Sequence, residues 1–189
     1  NVVVGDEAGT ALTTGDNNVA VGDAAGDALT SPNNNVAVGS EALTADTLGT
    51  TSVAIGRSAL KAQNFTTSTS TYNTAVGFVA GLSVTTGIRN TLIGAQAGDA
   101  LTDADFNVAL GYNTLGSDTL GSHNTAIGYA ALFTQNFTTA TNSYNTAVGS
   151  NAGLSVTTGI RNVLLGGLAG DALTDADDNV AIGQQSLSS

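Results

Sequence analysis

The residues whose type and spacing come nearest to chemistry are two matched sets of acids. They are Asp99, Asp103 and Asp105, and then Asp171, Asp175 and Asp177, with Asp178 beside the second set. Carboxylates set among turn carbonyls are hard oxygen donors of the kind that hold Ca2+. Neither the twelve-residue EF-hand loop nor the glycine-rich nonapeptide of calcium β-rolls is present. Solvated turn acids are the expected role, and calcium is a minority reading. Nucleophilic and imidazole-based metal chemistry has little to work with: there is no cysteine, and the one histidine, His123, lies in the turn sequence Leu120-Gly121-Ser122-His123-Asn124. Glycine-rich turns invite a phosphate-loop reading, but the G-x-x-x-x-G-K-[ST] pattern does not occur. An ice-binding surface needs a Thr-x-Thr array on nearly every turn, whereas clustered threonines concentrate in two places. Asn64-Phe65-Thr66 and Asn136-Phe137-Thr138 match the N-glycosylation sequon, and as copies of one loop they count as a single occurrence. No catalytic residue and no resident cofactor are expected.

Composition limits the partners. The net charge is −11, yet only 10% of the 189 residues are charged. Such a surface repels nucleic-acid phosphates and anionic membranes. The apolar residues are mostly small, so the core they build must be narrow. No apolar run reaches the length of a membrane-spanning helix, and no signal peptide is evident. The chain opens inside a repeat without an initiator Met and closes part-way through another. It reads as a single repeat domain, residues 1–189, cut from a longer polypeptide.

That repeat is the dominant signal. Eleven pentads of the type Asn-[Val/Thr]-Ala-[Val/Ile/Leu]-Gly end at Gly5, Gly22, Gly39, Gly56, Gly77, Gly94, Gly111, Gly128, Gly149, Gly166 and Gly183. Ten open with Asn, among them Asn73, Asn90, Asn107 and Asn124; Ser52 is the exception. The spacing is 17 residues, with 21 at every fourth unit, so a super-repeat of 72 residues results. AGLSVTTGIRN at 80–90 returns unchanged at 152–162. Arg89 and Arg161, equivalent in that motif, are expected to offset neighbouring acids.

The units fall into two classes. Four residues after the pentad glycine stands either Gly (as at Gly26 and Gly81) or Leu (as at Leu43 and Leu60). Where it is Gly, an apolar residue follows three positions later, as at Leu29 and Val84. Where it is Leu, that later position is polar, as at Asp46, Gln63, Asp118 and Gln135. One large apolar side chain per unit therefore comes from either of two places, which keeps a constant-width core filled.

A short, β-branched segment stopped by glycine is a strand. Units of this length are too short for helix-pair solenoids and suit one turn of a β-solenoid, with two short strands joined by tight turns. The Asn suits a turn before the strand, tolerates left-handed backbone, and can bond up the rod as a ladder. The glycine suits a corner or a close backbone approach. Alternate strand residues face opposite ways, and both faces are mostly apolar. One face lines the turn's own core; the other needs a cover, and the same strand of sister chains is the simplest one. A homo-oligomer is expected, with three chains the favoured number.

The pentads NTAVG, NTAIG and NVAVG, each followed by x-x-Ala-[Gly/Leu], resemble the head repeats of YadA-type trimeric autotransporter adhesins and, still more, the NTAxGxxAL repeat regions of phage tail fibres. The resemblance covers essentially the whole chain. It implies a left-handed parallel β-roll, three chains around a common axis, and a role in extracellular fibres or attachment, on a virion or a cell surface. The longer units here depart from the adhesin heads, and no adhesin's ligand contacts transfer to this sequence.

The fold expected is thus an all-β, homotrimeric β-solenoid of about eleven turns. The function expected is that of a fibre shaft or head segment, not an enzyme, with the chain itself as first partner. The alternative is a glycan- or calcium-binding module acting through its long loops. Those loops, at 64–72 and 136–144, leave the pentads in register and lengthen only the outer path. Phe65, Thr66, Thr67 and Tyr72, and their copies Phe137, Thr138, Thr139 and Tyr144, are the candidate contacts for a cell-surface glycan or protein receptor. The Phe and Tyr that bracket each loop are expected to fold back over the core edge; if they stand out instead, they mark a contact ring.

Overall fold

A computed structural model describes residues 1–188. Every pentad forms a strand of three residues: Val2–Val4 (β1), Val19–Val21 (β2), Val36–Val38 (β3), Val53–Ile55 (β5), Thr74–Val76 (β7), Thr91–Ile93 (β8), Val108–Leu110 (β9), Thr125–Ile127 (β11), Thr146–Val148 (β13), Val163–Leu165 (β14) and Val180–Ile182 (β15). They pair in parallel and in chain order as one eleven-stranded sheet. Register follows the repeat: Ala20 pairs with Ala37, Ala37 with Ala54, and across the longer unit Ala54 pairs with Ala75. The four extra residues therefore leave the strands aligned, and the chain is a parallel β-solenoid.

The expectation of two strands per turn holds only at the long loops. There Gly49–Thr50 (β4) pairs with Thr69–Ser70 (β6), and Gly121–Ser122 (β10) pairs with Thr141–Asn142 (β12). Elsewhere the rest of each turn is built from bends held by bonds to the next turn. Three positions per turn carry left-handed backbone: the residue before the pentad Asn, and the second and fourth residues after its glycine. Frequent left-handed residues leave little room for regular strand.

This relocates a sequence expectation. The pentad Asn is not the left-handed residue; the one before it is, as at Tyr72 (φ 52°), Arg89 (58°), Phe106 (58°) and His123 (63°). The Asn instead turns inward and is buried. Its ladder runs largely through the backbone. Asn90 N–H donates to Asn73 Oδ1 (2.9 Å), Asn107 N–H to Asn90 Oδ1 (3.0 Å) and Asn124 N–H to Asn107 Oδ1 (2.9 Å). The same side chains donate through Nδ2 to a turn carbonyl: Asn73 to Gly87 (2.7 Å), Asn90 to Ala104 (2.7 Å) and Asn107 to Gly121 (2.9 Å). Each Asn thus satisfies two backbone groups that burial would otherwise strand, at about 1 kcal/mol per bond.

A second ladder uses threonine. Eight residues after the pentad glycine stand Thr13, Thr30, Thr47, Thr85, Thr102, Thr119, Thr157 and Thr174, interrupted by Asn64 and Asn136. Their hydroxyls donate upward, as from Thr30 Oγ1 to Thr47 O (3.1 Å) and Thr102 Oγ1 to Thr119 O (3.1 Å).

The core is one column. The middle strand residues from Ala20 to Ala181 point into it, with Leu29, Leu43, Leu60, Val84, Leu101, Leu115, Leu132 and Val156 fully buried beside them. The two-class filling read from the sequence is the observed one. It has a conformational cost: Leu43, Leu60, Leu115 and Leu132 are all left-handed, at φ 49–54°, roughly 1–2 kcal/mol each. Burial of a leucine, worth about 1.5–3 kcal/mol, offsets it. Val84 is one carbon smaller than leucine, and its layer is completed by Leu92 in place of the usual strand alanine. Gly81 makes the room, since a Cβ there would lie 2.8 Å from Leu92 Cδ1.

The strand-closing glycines meet the expectation of close approach. Gly77, Gly94, Gly111 and Gly128 sit at φ 146°, 130°, 138° and 126°. At Gly39, φ is 129° and a Cβ would lie 2.6 Å from the carbonyl oxygen of Gly56, in the next turn.

Candidate functional site

Three regions could carry function: the outward face of the sheet, the long loops and the acid sets. The outward face takes the first and third residue of each strand. These are half-buried or exposed along the whole rod, with Ile55, Ile93, Val108 and Leu110 among the exposed ones. The face is widened by two columns, one on each flank. One is formed by the residue before the Asn, the other by the residue after the glycine.

In the first column, side chains of successive turns stack. The Arg89 guanidinium lies 5.1 Å from the Phe106 ring centre. Phe106 stacks on His123 at 4.7 Å and 7°, and His123 on Tyr144 at 4.9 Å and 26°. Arg161 then pairs with Asp178, Nε to Oδ1 at 2.6 Å. The left-handed backbone at each of these residues presents every side chain to the same side. In the second column, Arg57 lies 5.7 Å from the Phe78 ring centre and Tyr112 stacks on Tyr129 at 5.8 Å. His123 is therefore not a freely solvated turn residue but half-buried between two rings. Arg161 offsets an acid as expected; Arg89 covers an aromatic ring instead.

Charge is distributed unevenly over these columns. Arg57, Arg89 and Arg161, three of the four basic residues, flank the face, balanced by Asp6, Asp23 and Asp178. The net −11 of the chain resides elsewhere. The Arg161 bond holds the Asp178 carboxyl below the usual range.

The bracketing aromatics of the long loops part company. Phe65 and Phe137 are buried, at 8% and 6% exposure, whereas Tyr72 and Tyr144 are 56% and 51% exposed. The tips, Thr66, Thr67, Thr138 and Thr139, are exposed. Each loop closes over a polar network inside the rod. Gln63 Nε2 donates to Asp46 Oδ2 (2.6 Å) and to Ser52 Oγ (2.9 Å), and Asn73 Nδ2 donates to Gln63 Oε1 (2.9 Å). The other oxygen, Asp46 Oδ1, accepts from Gly49 N–H and Phe65 N–H, both at 3.0 Å. Ser52 Oγ and Thr71 Oγ1, 2.6 Å apart, close the gap left by the one pentad that lacks Asn. The second network repeats it: Gln135 Nε2 donates to Asp118 Oδ2, Phe137 N–H to Asp118 Oδ1 (3.0 Å), and Asn145 Nδ2 to Gln135 Oε1 (2.8 Å). Burial pushes the Asp46 carboxyl up, against the bonds from Phe65, Gln63 and Gly49 that favour its charged form. The pattern of polar residues in the Leu-class turns was visible in the sequence; that they are buried was not.

The acid sets do not converge on a shared centre. Asp103 Oδ1 accepts from Thr86 Oγ1 (2.6 Å), Asp105 Oδ1 from Ile88 N–H (2.7 Å) and Asp177 Oδ1 from Ile160 N–H (2.8 Å). Asp175 Oδ1 accepts from Thr174 Oγ1 (3.1 Å). Asp105 and Asp177 thus hold the backbone of the adjacent turn, while Asp103 and Asp175 bond threonine hydroxyls. Asp27, Asp99 and Asp171, 72 residues apart in series, each keep one buried carboxylate oxygen with no partner, and burial raises the Asp99 carboxyl. Among the described residues no three acids or histidines gather where one metal ion could bind, and no pocket opens. Among the described residues no helix is long and apolar enough to cross a membrane. No protein-family model, curated protein or solved structure matches this chain.

Proposed function

We propose that the chain is a shaft or head segment of an extracellular, homotrimeric fibre used in attachment, of the phage tail-fibre or bacterial-adhesin kind. The observation that carries this reading is the outward sheet face. It is mostly apolar: Val, Ile or Leu closes every strand of that sheet, and Thr opens only β7, β8, β11 and β13 among them. Stacked aromatics flank its middle, and face and flanks together are neutral on a chain of net charge −11. Contiguous apolar surface on this scale is an interaction surface. A second and third copy fit it best, because self-association buries the neutral face and leaves the acidic remainder of the surface in water. The number three rests on the resemblance to trimeric fibres. Mechanically, the unit is a stiff spacer whose backbone bonds run along its axis.

Sedimentation equilibrium tests it: a mass three times the 18.6 kDa chain is expected, and a monomer would sink the proposal. Ile93→Asp combined with Leu110→Asp is expected to yield monomers with unchanged circular dichroism. A second reading, glycan binding by the loops, is favoured by the exposed threonine tips at two equivalent levels. Glycan-array binding lost on trimming 66–68 and 138–140 would support it.

A further inference from the structure

The threonine column is broken only at Asn64 and Asn136, and the architecture supplies no reason for either. Their backbone N–H groups donate to Thr85 O and Thr157 O, both at 3.0 Å, so the chain keeps its course there. Their side chains forgo the upward bond that threonine makes at this position. Each Oδ1 accepts one bond, from Thr47 or Thr119 Oγ1 at 3.2 Å. Those hydroxyls already lie closer to a carbonyl, Phe65 O at 2.9 Å and Phe137 O at 2.8 Å. Neither Nδ2 donates to any described residue, and both side chains are exposed. The strand-preceding asparagines are the opposite case, buried and with Nδ2 engaged, as at Asn73.

What the two positions share is the next two residues. Phe65 and Phe137 are buried and pin each loop to the rod. Thr66 and Thr138 follow, exposed, and their hydroxyls are free of bonds to described residues. An unengaged carboxamide nitrogen and a free hydroxyl in Asn-x-Thr are what an N-glycosyl transfer enzyme reads.

We propose that Asn64 and Asn136 are N-glycosylation sites, supplied by a diphosphate-activated sugar. Nδ2 forms a bond to the anomeric carbon. The bond from that carbon to the donor's phosphate oxygen breaks, and the nucleotide or lipid diphosphate leaves with the electron pair. One amide proton passes to the transferring enzyme. The sugars would sit on the loops, off the eleven-stranded sheet, at levels four turns or roughly 19 Å apart.

The test uses the folded full chain in two arms. One holds a nucleotide-sugar-dependent N-glycosyltransferase with UDP-glucose; the other holds an oligosaccharyltransferase with a lipid-diphosphate oligosaccharide. Intact mass and peptide mapping read the product. Sugar at Asn64 and Asn136 is expected in at least one arm, and the reacting arm identifies the donor class. Thr66→Ala is expected to lose one of the two. Asn17, Asn34 and Asn142, exposed but without Ser or Thr two residues on, stay bare. Asn64→Thr is expected to leave the melting temperature unchanged. The proposal is overturned by a folded chain that stays unmodified in both arms, whether or not its denatured form reacts. A marked fall in melting temperature for Asn64→Thr also overturns it, since the asparagine would then be architectural.

Discussion

Gln63 and Asp46 meet inside the rod, Nε2 to Oδ2 at 2.6 Å across one turn, with neither side chain exposed. Gln63 is the one side chain that donates to this carboxylate from the next layer, beside the Phe65 N–H, while its carbonyl oxygen is taken up by Asn73 above. Three layers are joined through a single side chain.

Gln63→Met keeps the volume and removes all three bonds, those to Asp46, Ser52 and Asn73. It leaves a buried carboxylate and a buried carboxamide each short of a partner, and should cost about 2–4 kcal/mol. Urea denaturation of the variant against the parent measures this. An unchanged midpoint would show that water or loop movement replaces the glutamine.

Acid should strengthen this layer. The folded state raises the Asp46 carboxyl above its ordinary 3.8 through burial. The folded rod therefore binds the proton more tightly than the unfolded chain. The contribution is fully present below the ordinary value and is lost as pH rises through the raised one. Asp46→Asn removes the titration. Stability of the parent relative to this variant should increase as pH falls from 7 to 4, measured by denaturant titration at each pH; a flat or opposite trend would contradict the assignment.

Gly39→Ala should be severe for so small a change. The added carbon would meet the Gly56 carbonyl at 2.6 Å, with φ at 129°, where side chains are strained. Opening the stack at one level should cost at least about 2 kcal/mol. Thermal melting resolves this readily.

The aromatic column should matter less to the single chain. His123→Ala removes two ring contacts at 4.7 and 4.9 Å, worth about 0.5–1.5 kcal/mol each. Arg161→Ala breaks an exposed ion pair and should change stability by under about 1 kcal/mol. If the face is buried between copies, His123→Ala should weaken association more than it weakens folding, which dilution in an ultracentrifuge separates.

Much of this architecture can be read along the chain because every turn meets nearly the same environment. The pentad aligns on its glycine, and the Gly/Leu alternation states where each core side chain comes from. Other features are hidden for physical reasons. Left-handed backbone falls on Tyr72, Arg89 and Phe106, residues of no special tolerance, so composition does not mark the corner. Asp46 and Asp118 look like solvated turn acids, because burial of a carboxylate depends on a glutamine one layer away. The stack of Phe106, His123 and Tyr144 joins unlike residues 17 and 21 positions apart, a relation that only the register brings together. Phe65 and Tyr72 bracket one loop symmetrically in sequence, yet one turns in and the other out.

The 72-residue super-repeat has a genetic consequence. The layer that receives β7 through Asn73 and Gln63 matches the layer that receives β13 through Asn145 and Gln135. Unequal recombination between two such blocks would delete or duplicate four turns and leave every junction native. Rod length can then change in steps of roughly 19 Å, each step adding one more long loop, so reach and the number of displayed loops are inherited together as a ruler.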